Sequence, residues 1–164
     1  MAFDSYTKLL THFNGVNGIP TPPYLADTGQ NVTFVGTAQL ATAQKEFGSA
    51  SLLLDGDSDY VTVPDSADWQ LDGGSGGDFT IDCWVRYSDV SSTQGIQPVC
   101  GQFSAASDYW WLYFSDNVIN FYYRTGSADK ANYNTGSLGC GNNVWYHIAF
   151  VKSGSTAYCF VNGV

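Results

Sequence analysis

Residues 79–86 run Phe79-Thr80-Ile81-Asp82-Cys83-Trp84-Val85-Arg86, with an apolar side chain at every odd-numbered position. Successive side chains of a β-strand point to opposite faces, so the four odd-numbered side chains of this stretch share one face. The pattern therefore predicts a strand that buries one face in a core and exposes the other.

Short apolar runs of similar length lie on both sides of this strand, and turn residues separate them. Hairpins are predicted across residues 55–59, 115–117 and 153–155. The predicted strands are residues 8–13, 32–35, 38–40, 51–54, 60–63, 79–86, 109–114, 118–123, 145–151 and 156–161. Because no helix is predicted between them, the sequence indicates an all-β antiparallel sandwich of two sheets, in one domain spanning 1–164.

The composition supports one core and an acidic surface. Of the 164 residues, 44% are hydrophobic and 16% aromatic, while 15 acidic residues against 6 basic ones give a net charge of -9. Such a surface repels nucleic acid and anionic membranes, so neither is an expected partner. The sequence lacks a run of about 18 apolar residues for a membrane span. Its first residues also lack the basic start and apolar run of a secretory signal, so we expect synthesis and assembly in the cytoplasm.

Four cysteines, Cys83, Cys100, Cys140 and Cys159, are widely spaced, and three of them fall in apolar strand-like runs. Cysteine is among the most frequently buried residues, and it packs as a small hydrophobe. We therefore predict that these residues fill the core as thiols rather than pairing as disulfides.

Six short motifs follow one another in a characteristic order. They are Lys8-Leu9-Leu10-Thr11-His12-Phe13-Asn14-Gly15, Phe47-Gly48-Ser49-Ala50-Ser51-Leu52, Leu54-Asp55-Gly56 with Asp59-Tyr60-Val61, residues 78–86, Trp145-Tyr146-His147-Ile148-Ala149, and Val161-Asn162-Gly163. In this order they resemble concanavalin A-like lectin/glucanase domains of the laminin G-like type. The resemblance implies a jelly-roll sandwich over almost the whole chain.

The resemblance leaves two non-enzymatic functions open. Domains of this kind are common in bacteriophage tail and capsid accessory proteins, which implies a virion component assembled in the host cytoplasm: a tail fibre, capsid decoration or adhesion protein bound to other virion chains. They also occur in bacterial surface and secreted proteins, which implies a carbohydrate-binding module that contacts cell-surface glycan. Fold alone does not choose between the two.

In the family, the turn Val161-Asn162-Gly163 is normally followed by the strands that end the sandwich, whereas this sequence stops at Val164. An uncovered sheet edge presents unpaired backbone groups, which invite association. We therefore expect a truncated form, or a homo-oligomer or larger assembly in which another chain covers the edge.

Catalytic groups are scarce. Glucanases of this fold use paired glutamates that face each other across the scissile bond, whereas Glu46 is the only glutamate in the sequence. The two histidines, His12 and His147, fall in predicted strands and have no nucleophile motif beside them. We therefore predict that the protein is not an enzyme and requires no cofactor.

Asp55, Asp57 and Asp59 place three carboxylates in one tight turn. Calcium prefers several oxygen ligands of this kind, so the turn is a candidate calcium site. An EF-hand is excluded, because Tyr60 and Ser66 stand where that loop requires glycine and glutamate. The alternative is a turn in which the aspartates bind backbone amides.

The segments 109–114 and 118–124 form the most aromatic hairpin of the chain. Alternation directs one set of side chains into the core and the other set outward. The outward set, predicted to bind a glycan or a partner protein, is Tyr109, Trp111, Tyr113, Asn120, Tyr122 and Arg124. Aromatic rings beside an amide and a guanidinium are suited to binding sugars. They are equally suited to packing against a neighbouring subunit or against the chain's own loops.

Overall fold

The structure is a computed structural model that describes residues 4–71, 77–91 and 94–164. The glycine-rich stretch 72–77 lies almost entirely outside this part of the chain, as do the first three residues. The strands are β1 Tyr24–Leu25, β2 Asn31–Val35, β3 Gln39–Ala41, β4 Ser51–Leu53, β5 Tyr60–Thr62, β6 Phe79–Arg86, β7 Gln97–Ala105, β8 Asp108–Ser115, β9 Val118–Thr125, β10 Ala128–Asn134, β11 Trp145–Ser153 and β12 Thr156–Val161, with a short 3-10 helix at Ala67–Trp69. The chain divides into two compact units, Met1–Asp68 and Trp69–Val164.

In the first unit, two long arms run antiparallel to each other. One arm consists of β2 and β3 and the other of β4 and β5, with β2 paired to β5 and β3 paired to β4. The hairpin predicted between β4 and β5 is therefore wrong. The turn 55–59 instead connects β4 and β5 within one arm. The Asp59 carboxylate accepts a hydrogen bond from the Thr37 amide at 2.6 Å, and so binds this turn to the turn between β2 and β3 in the other arm.

The strand predicted at 8–13 is also wrong. The backbone of this segment is bound to the β1–β2 turn mainly by side chains rather than by a ladder. The Leu10 amide donates to Thr28 Oγ1 at 3.1 Å, the His12 amide to Asp27 Oδ2 at 2.9 Å, and Gln30 Nε2 to the Lys8 carbonyl at 2.7 Å. Since these side chains satisfy the backbone groups, the segment needs no partner strand.

The second unit is an antiparallel sandwich, which confirms the predicted fold class. Its sheets have the strand orders β10-β9-β8-β7 and β12-β11-β6. The core lies between them, where Phe121 of β9 stacks on Phe150 of β11 with ring centroids 4.5 Å apart. The buried cluster consists of Val90, Leu112, Phe114, Ile119, Phe121, Ile148 and Phe150.

The alternation of β6 is confirmed. Phe79, Ile81, Cys83 and Val85 pack against the core cluster, while Thr80, Asp82 and Trp84 are exposed. The hairpins predicted across 115–117 and 153–155 are confirmed as β8–β9 and β11–β12. Two strands that the sequence reasoning missed, β7 and β10, complete the four-stranded sheet.

All four cysteines are free thiols, as predicted. Burial raises the pKa of both Cys83 and Cys100 to about 12, and it raises the pKa of Cys140 and of Cys159. Thiols of this kind stay protonated and pack as apolar groups.

Candidate functional site

The β8–β9 hairpin positions all six predicted contact residues. Its turn residues Asp116 and Asn117 have positive φ values of 51° and 61°. A two-residue hairpin turn needs positive φ at both positions if its twist is to match that of the flanking strands. Asparagine and aspartate tolerate this conformation better than other non-glycine residues. The turn therefore fixes the register of the hairpin, and the register determines which side chains lie opposite one another.

Three cross-strand pairs form one surface on the outer side of the four-stranded sheet. The pairs are Tyr109 with Arg124, Trp111 with Tyr122, and Tyr113 with Asn120. We call these six residues the aromatic face. The alternate residues Leu112, Phe114, Ile119 and Phe121 are buried on the other side of the sheet, so the structure brings all six predicted residues together as the alternation required.

The rings of the aromatic face contact one another. Trp111 and Tyr113 have centroids 4.7 Å apart, and Tyr109 stacks on Tyr122 at 5.6 Å. Tyr109 also meets the edge of Trp111 at 6.4 Å. All six side chains are half-buried, because the rings cover one another and leave part of each surface accessible.

Two further residues extend this surface and were missed from the sequence. Phe103 of β7 stacks on Tyr109 at 5.1 Å and is 72% exposed. Asp129 of β10 lies opposite Arg124. Phe103 follows Gly101 at strand spacing, and Gly101 lies opposite Trp111, where a Cβ would come 2.9 Å from the Trp111 Cβ. The sequence signal for Phe103 was therefore its position two residues after Gly101, because residues two apart in a strand share one face.

A polar network borders the rings. The Tyr122 hydroxyl donates a hydrogen bond to Asp129 Oδ1, and this bond raises the pKa of Tyr122 to about 12. The Arg124 guanidinium lies 3.7 Å from the same carboxylate and donates to the Ser127 carbonyl at 3.0 Å. The phenol therefore remains a neutral hydrogen-bond donor at physiological pH, next to a fixed positive charge.

Two buried nitrogens of the aromatic face have no hydrogen-bond partner among the described residues: Trp111 Nε1 and Arg124 Nε. Buried donors of this kind are uncommon, because each carries an uncompensated desolvation cost. Both nitrogens are buried, so the face presents its ring surfaces rather than these two donors to a ligand or partner.

The predicted calcium ligands lie in the turn between β4 and β5. The Asp59 carboxylate accepts from the amides of Thr37 and Asp55, at 2.6 and 3.1 Å. The Asp55 carboxylate accepts from the Asp57 amide at 2.9 Å, and this bond is the main cause that lowers the pKa of Asp55. These contacts are those of a turn that binds backbone amides. The contacts therefore favour the second of the two alternatives for this turn, and the calcium site stays the other alternative.

In the part of the chain that the structure describes, no group of three or more histidine, cysteine, aspartate or glutamate side chains is placed to hold a metal. His147 Nε2 lies 3.4 Å from Asp82 Oδ2, and His12 Nδ1 lies 2.9 Å from Asp27 Oδ2. These are two-residue contacts at the surface. The absence of enzymatic activity stays a prediction.

None of the helices described is long and apolar enough to cross a membrane.

Residues 55–164 match the family model of the concanavalin A-like lectin/glucanases superfamily. The chain belongs to this superfamily. The match covers the whole second unit, and therefore both sheets of the sandwich and the aromatic face. No curated protein matches the chain.

Membership in the superfamily confirms the jelly-roll sandwich over residues 55–164, and its extension to the residues before 55, where two of the six motifs lie, stays a prediction. The superfamily name covers both lectins, which bind carbohydrate, and glucanases, which cleave it, so membership leaves the activity open. The only glutamate in the sequence, Glu46, lies outside the matched residues. The carboxylate pair of a glucanase therefore has no glutamate available within the matched region.

Proposed function

We propose that this protein is a non-enzymatic attachment module, most simply a component of a bacteriophage virion, and that the aromatic face makes its contact with a partner chain. The observation that carries the proposal is the register of β8 and β9, which gathers Tyr109, Trp111 and Tyr122 on one side of a sheet whose other side is already filled by the core. Buried aromatic side chains and arginine dominate binding energy at protein interfaces.

The rigidity of the face supports this role. Each ring is held by its neighbours and by the ladder beneath it, so little side-chain entropy is lost when a partner covers it. The net charge of -9 favours a partner that is not acidic. The virion setting, assembled in the host cytoplasm, rests on the resemblance to phage tail and capsid accessory domains.

A glycan is the second candidate partner, in the setting of a bacterial surface or secreted protein. One observation favours it: Tyr109 and Tyr122 present stacked rings beside the Tyr122 hydroxyl, Arg124 and the Asn120 amide. Sugars bind by placing an apolar face on a ring and by hydrogen bonding at its rim.

Two variants test the proposal. In Trp111→Ala and Tyr122→Ala, large rings are removed from the aromatic face. In the matched control Trp84→Ala, a ring that is 39% exposed is removed from the outer side of the other sheet. Co-sedimentation with purified phage particles measures virion attachment, and a glycan array measures carbohydrate binding.

The proposal predicts that both aromatic-face variants lose particle attachment by about tenfold or more, since one interface ring is worth about 2 kcal/mol or more, whereas the control retains it. If the unmodified protein binds the glycan array but not phage particles, and if the same two variants abolish the glycan binding, the second candidate is identified instead. Attachment that all three variants retain would exclude the aromatic face as the contact surface.

A further inference from the structure

The aromatic face lies in the middle of its sheet, and this position limits how a partner binds there. β8 pairs with β7 and β9, and β9 pairs with β8 and β10, so the ladders already use the backbone groups of both strands. A partner cannot add a strand over this surface. Recognition on the aromatic face therefore depends on side chains.

Most polar groups of the face are already bonded within the protein. Asn120 Nδ2 donates to a backbone carbonyl at 3.1 Å, and Arg124 Nη2 donates to another at 3.0 Å. The Tyr122 hydroxyl donates to Asp129. A sugar carries hydroxyl groups around its ring, and each one that loses water needs a new hydrogen-bond partner. A ligand with large apolar faces and few donors of its own therefore fits this surface better than a sugar does.

Proline has this chemistry. Its ring is apolar, and its backbone has a carbonyl acceptor but no N–H donor. Proline-rich segments adopt the polyproline II helix, which is extended before binding, so little conformational entropy is lost. Grooves lined by aromatic side chains recognise such segments in several kinds of domain. The Tyr113 hydroxyl has no hydrogen-bond partner among the described residues, so it is available to donate to one of the proline carbonyls.

The spacing of the rings matches the repeat of such a helix. Phe103, Tyr109 and Tyr122 form one stack, with successive centroids 5.1 and 5.6 Å apart, that crosses the sheet from β7 to β9. These two strands lie two strand spacings apart, roughly 9.6 Å. One turn of a polyproline II helix, which takes three residues, advances about 9.3 Å. A helix that lies across the strands therefore places one proline on Phe103 and the proline one turn later on Tyr122.

A carboxylate stands at one end of this path. The side chain of Asp129, in the next strand β10, is 63% exposed, and its contacts with Tyr122 and Arg124 both use Oδ1. Asp129 Oδ2 has no hydrogen-bond partner in the described part of the chain, so it is available to a basic side chain. The net charge of -9 also favours a basic partner. β10 lies roughly 14.4 Å from β7, which is close to the ~15.5 Å that five residues of the helix span.

We propose that the aromatic face binds a proline-rich segment of the partner chain in the polyproline II conformation, with prolines one turn apart on Phe103 and Tyr122 and a basic residue beside Asp129. This inference rests on the proposed attachment role and names the part of the partner that the face contacts. A glycan is the competing occupant, and the experiments below separate the two.

A labelled oligoproline peptide that ends in arginine is a direct probe. Fluorescence polarisation should show binding that weakens by about tenfold or more when glycine replaces the prolines, because the glycine peptide keeps the charge but has no rings and no preformed helix. Replacing the arginine with alanine should weaken binding roughly two- to fivefold, and this difference should disappear in Asp129→Asn. Equal binding of the proline and glycine peptides would overturn the proposal.

Phe103→Ala tests the site on the protein. The Phe103 side chain is 72% exposed, so its removal leaves no cavity in the core. The variant should bind the oligoproline peptide about tenfold more weakly. The matched control Phe47→Ala removes a phenylalanine that is 60% exposed in the first unit, and it should bind as the wild type does. Circular dichroism checks that both variants are folded, and equal binding by the two would overturn the proposal.

The particle assay separates this inference from the attachment role on which it rests. A peptide that binds and also releases the wild-type protein from phage particles supports both. Loss of attachment in Trp111→Ala and Tyr122→Ala, without any peptide binding, supports the attachment role and overturns the proline-rich segment. Peptide binding that Phe103→Ala weakens, with attachment retained in the other two variants, supports the segment and refutes the attachment role. Glycan binding without peptide binding would identify a sugar as the occupant and overturn the proposal.

Discussion

Replacing Phe121 and its neighbour Tyr122 tests the alternation on which both the core and the aromatic face depend. The two residues are consecutive in β9, and both are aromatic. Phe121 is 4% exposed and its ring lies 4.5, 5.6 and 6.2 Å from those of Phe150, Phe79 and Trp110. Tyr122 points to the other side, where it stacks on Tyr109.

The expected costs differ by several-fold. Phe121→Ala removes a buried ring and leaves a cavity, which typically costs about 3–5 kcal/mol of unfolding free energy. Tyr122→Ala removes one ring contact of about 0.5–1.5 kcal/mol on a partly exposed surface. It also removes the hydrogen bond to Asp129, which is exposed, so water replaces most of it. For a chain of this size, about 1 kcal/mol corresponds to a shift of roughly 2–4 °C in Tm. Phe121→Ala should therefore lower Tm by roughly 6–20 °C and Tyr122→Ala by only a few degrees.

Urea denaturation followed by tryptophan fluorescence measures both costs, and far-ultraviolet circular dichroism shows whether each variant remains folded. The comparison between adjacent residues cancels effects of position in the chain. Equal losses of stability, or a larger loss for Tyr122→Ala, would refute the assignment of the two faces.

Three further predictions follow from individual contacts. Millimolar calcium should leave Tm unchanged, because the Asp55 and Asp59 carboxylates already bind amides; a rise in Tm that a chelator reverses would show a calcium site. Hydrogen bonds from Ser107, Gly126 and Thr125 lower the pKa of Asp108, so its carboxylate stabilises the fold above the ordinary aspartate pKa and this contribution is lost as pH falls through the lowered value. Asp108→Asn should therefore destabilise the protein at neutral pH and converge with the wild type in acid, as denaturation at several pH values would measure; a difference independent of pH would contradict this. Cys83 and Cys100, whose pKa burial raises to about 12, should resist a maleimide reagent until the protein is unfolded, and rapid labelling of either thiol in the native protein, detected by mass spectrometry, would show that it is not buried.

The sequence predicted those elements whose pattern is local. In β6 apolar side chains occupy every second position, and in the β8–β9 hairpin the turn residues Asp116 and Asn117 tolerate positive φ, so in each case the local sequence agrees with the structure. The aromatic face follows directly from this agreement, because register determines which side chains share a surface.

The elements that the sequence missed have weak or misleading patterns. In β7, Pro98 and Gly101 accompany two register irregularities that break the period of two. β10 is an edge strand whose side chains are almost all exposed, so burial imposes no alternation on it. Phe103 and Asp129 belong to these two strands, which is why they were absent from the predicted contact residues.

Two wrong strand predictions in the first unit have a different cause. β4 and β5 pair with β3 and β2 rather than with each other, and Asp59 of the turn between them binds the Thr37 amide, 22 residues away in sequence. The segment 8–13 is held by Thr28, Asp27 and Gln30. Such long-range contacts between side chain and backbone leave no periodic signature in the sequence.

The proposed attachment role depends on what covers Trp111 and Tyr122 when the protein acts. Electron cryomicroscopy of the native assembly that contains this chain would measure this directly. We predict density from another chain, or from a glycan, against these two rings. An assembly in which both rings face solvent while other surfaces make all the contacts would contradict the account.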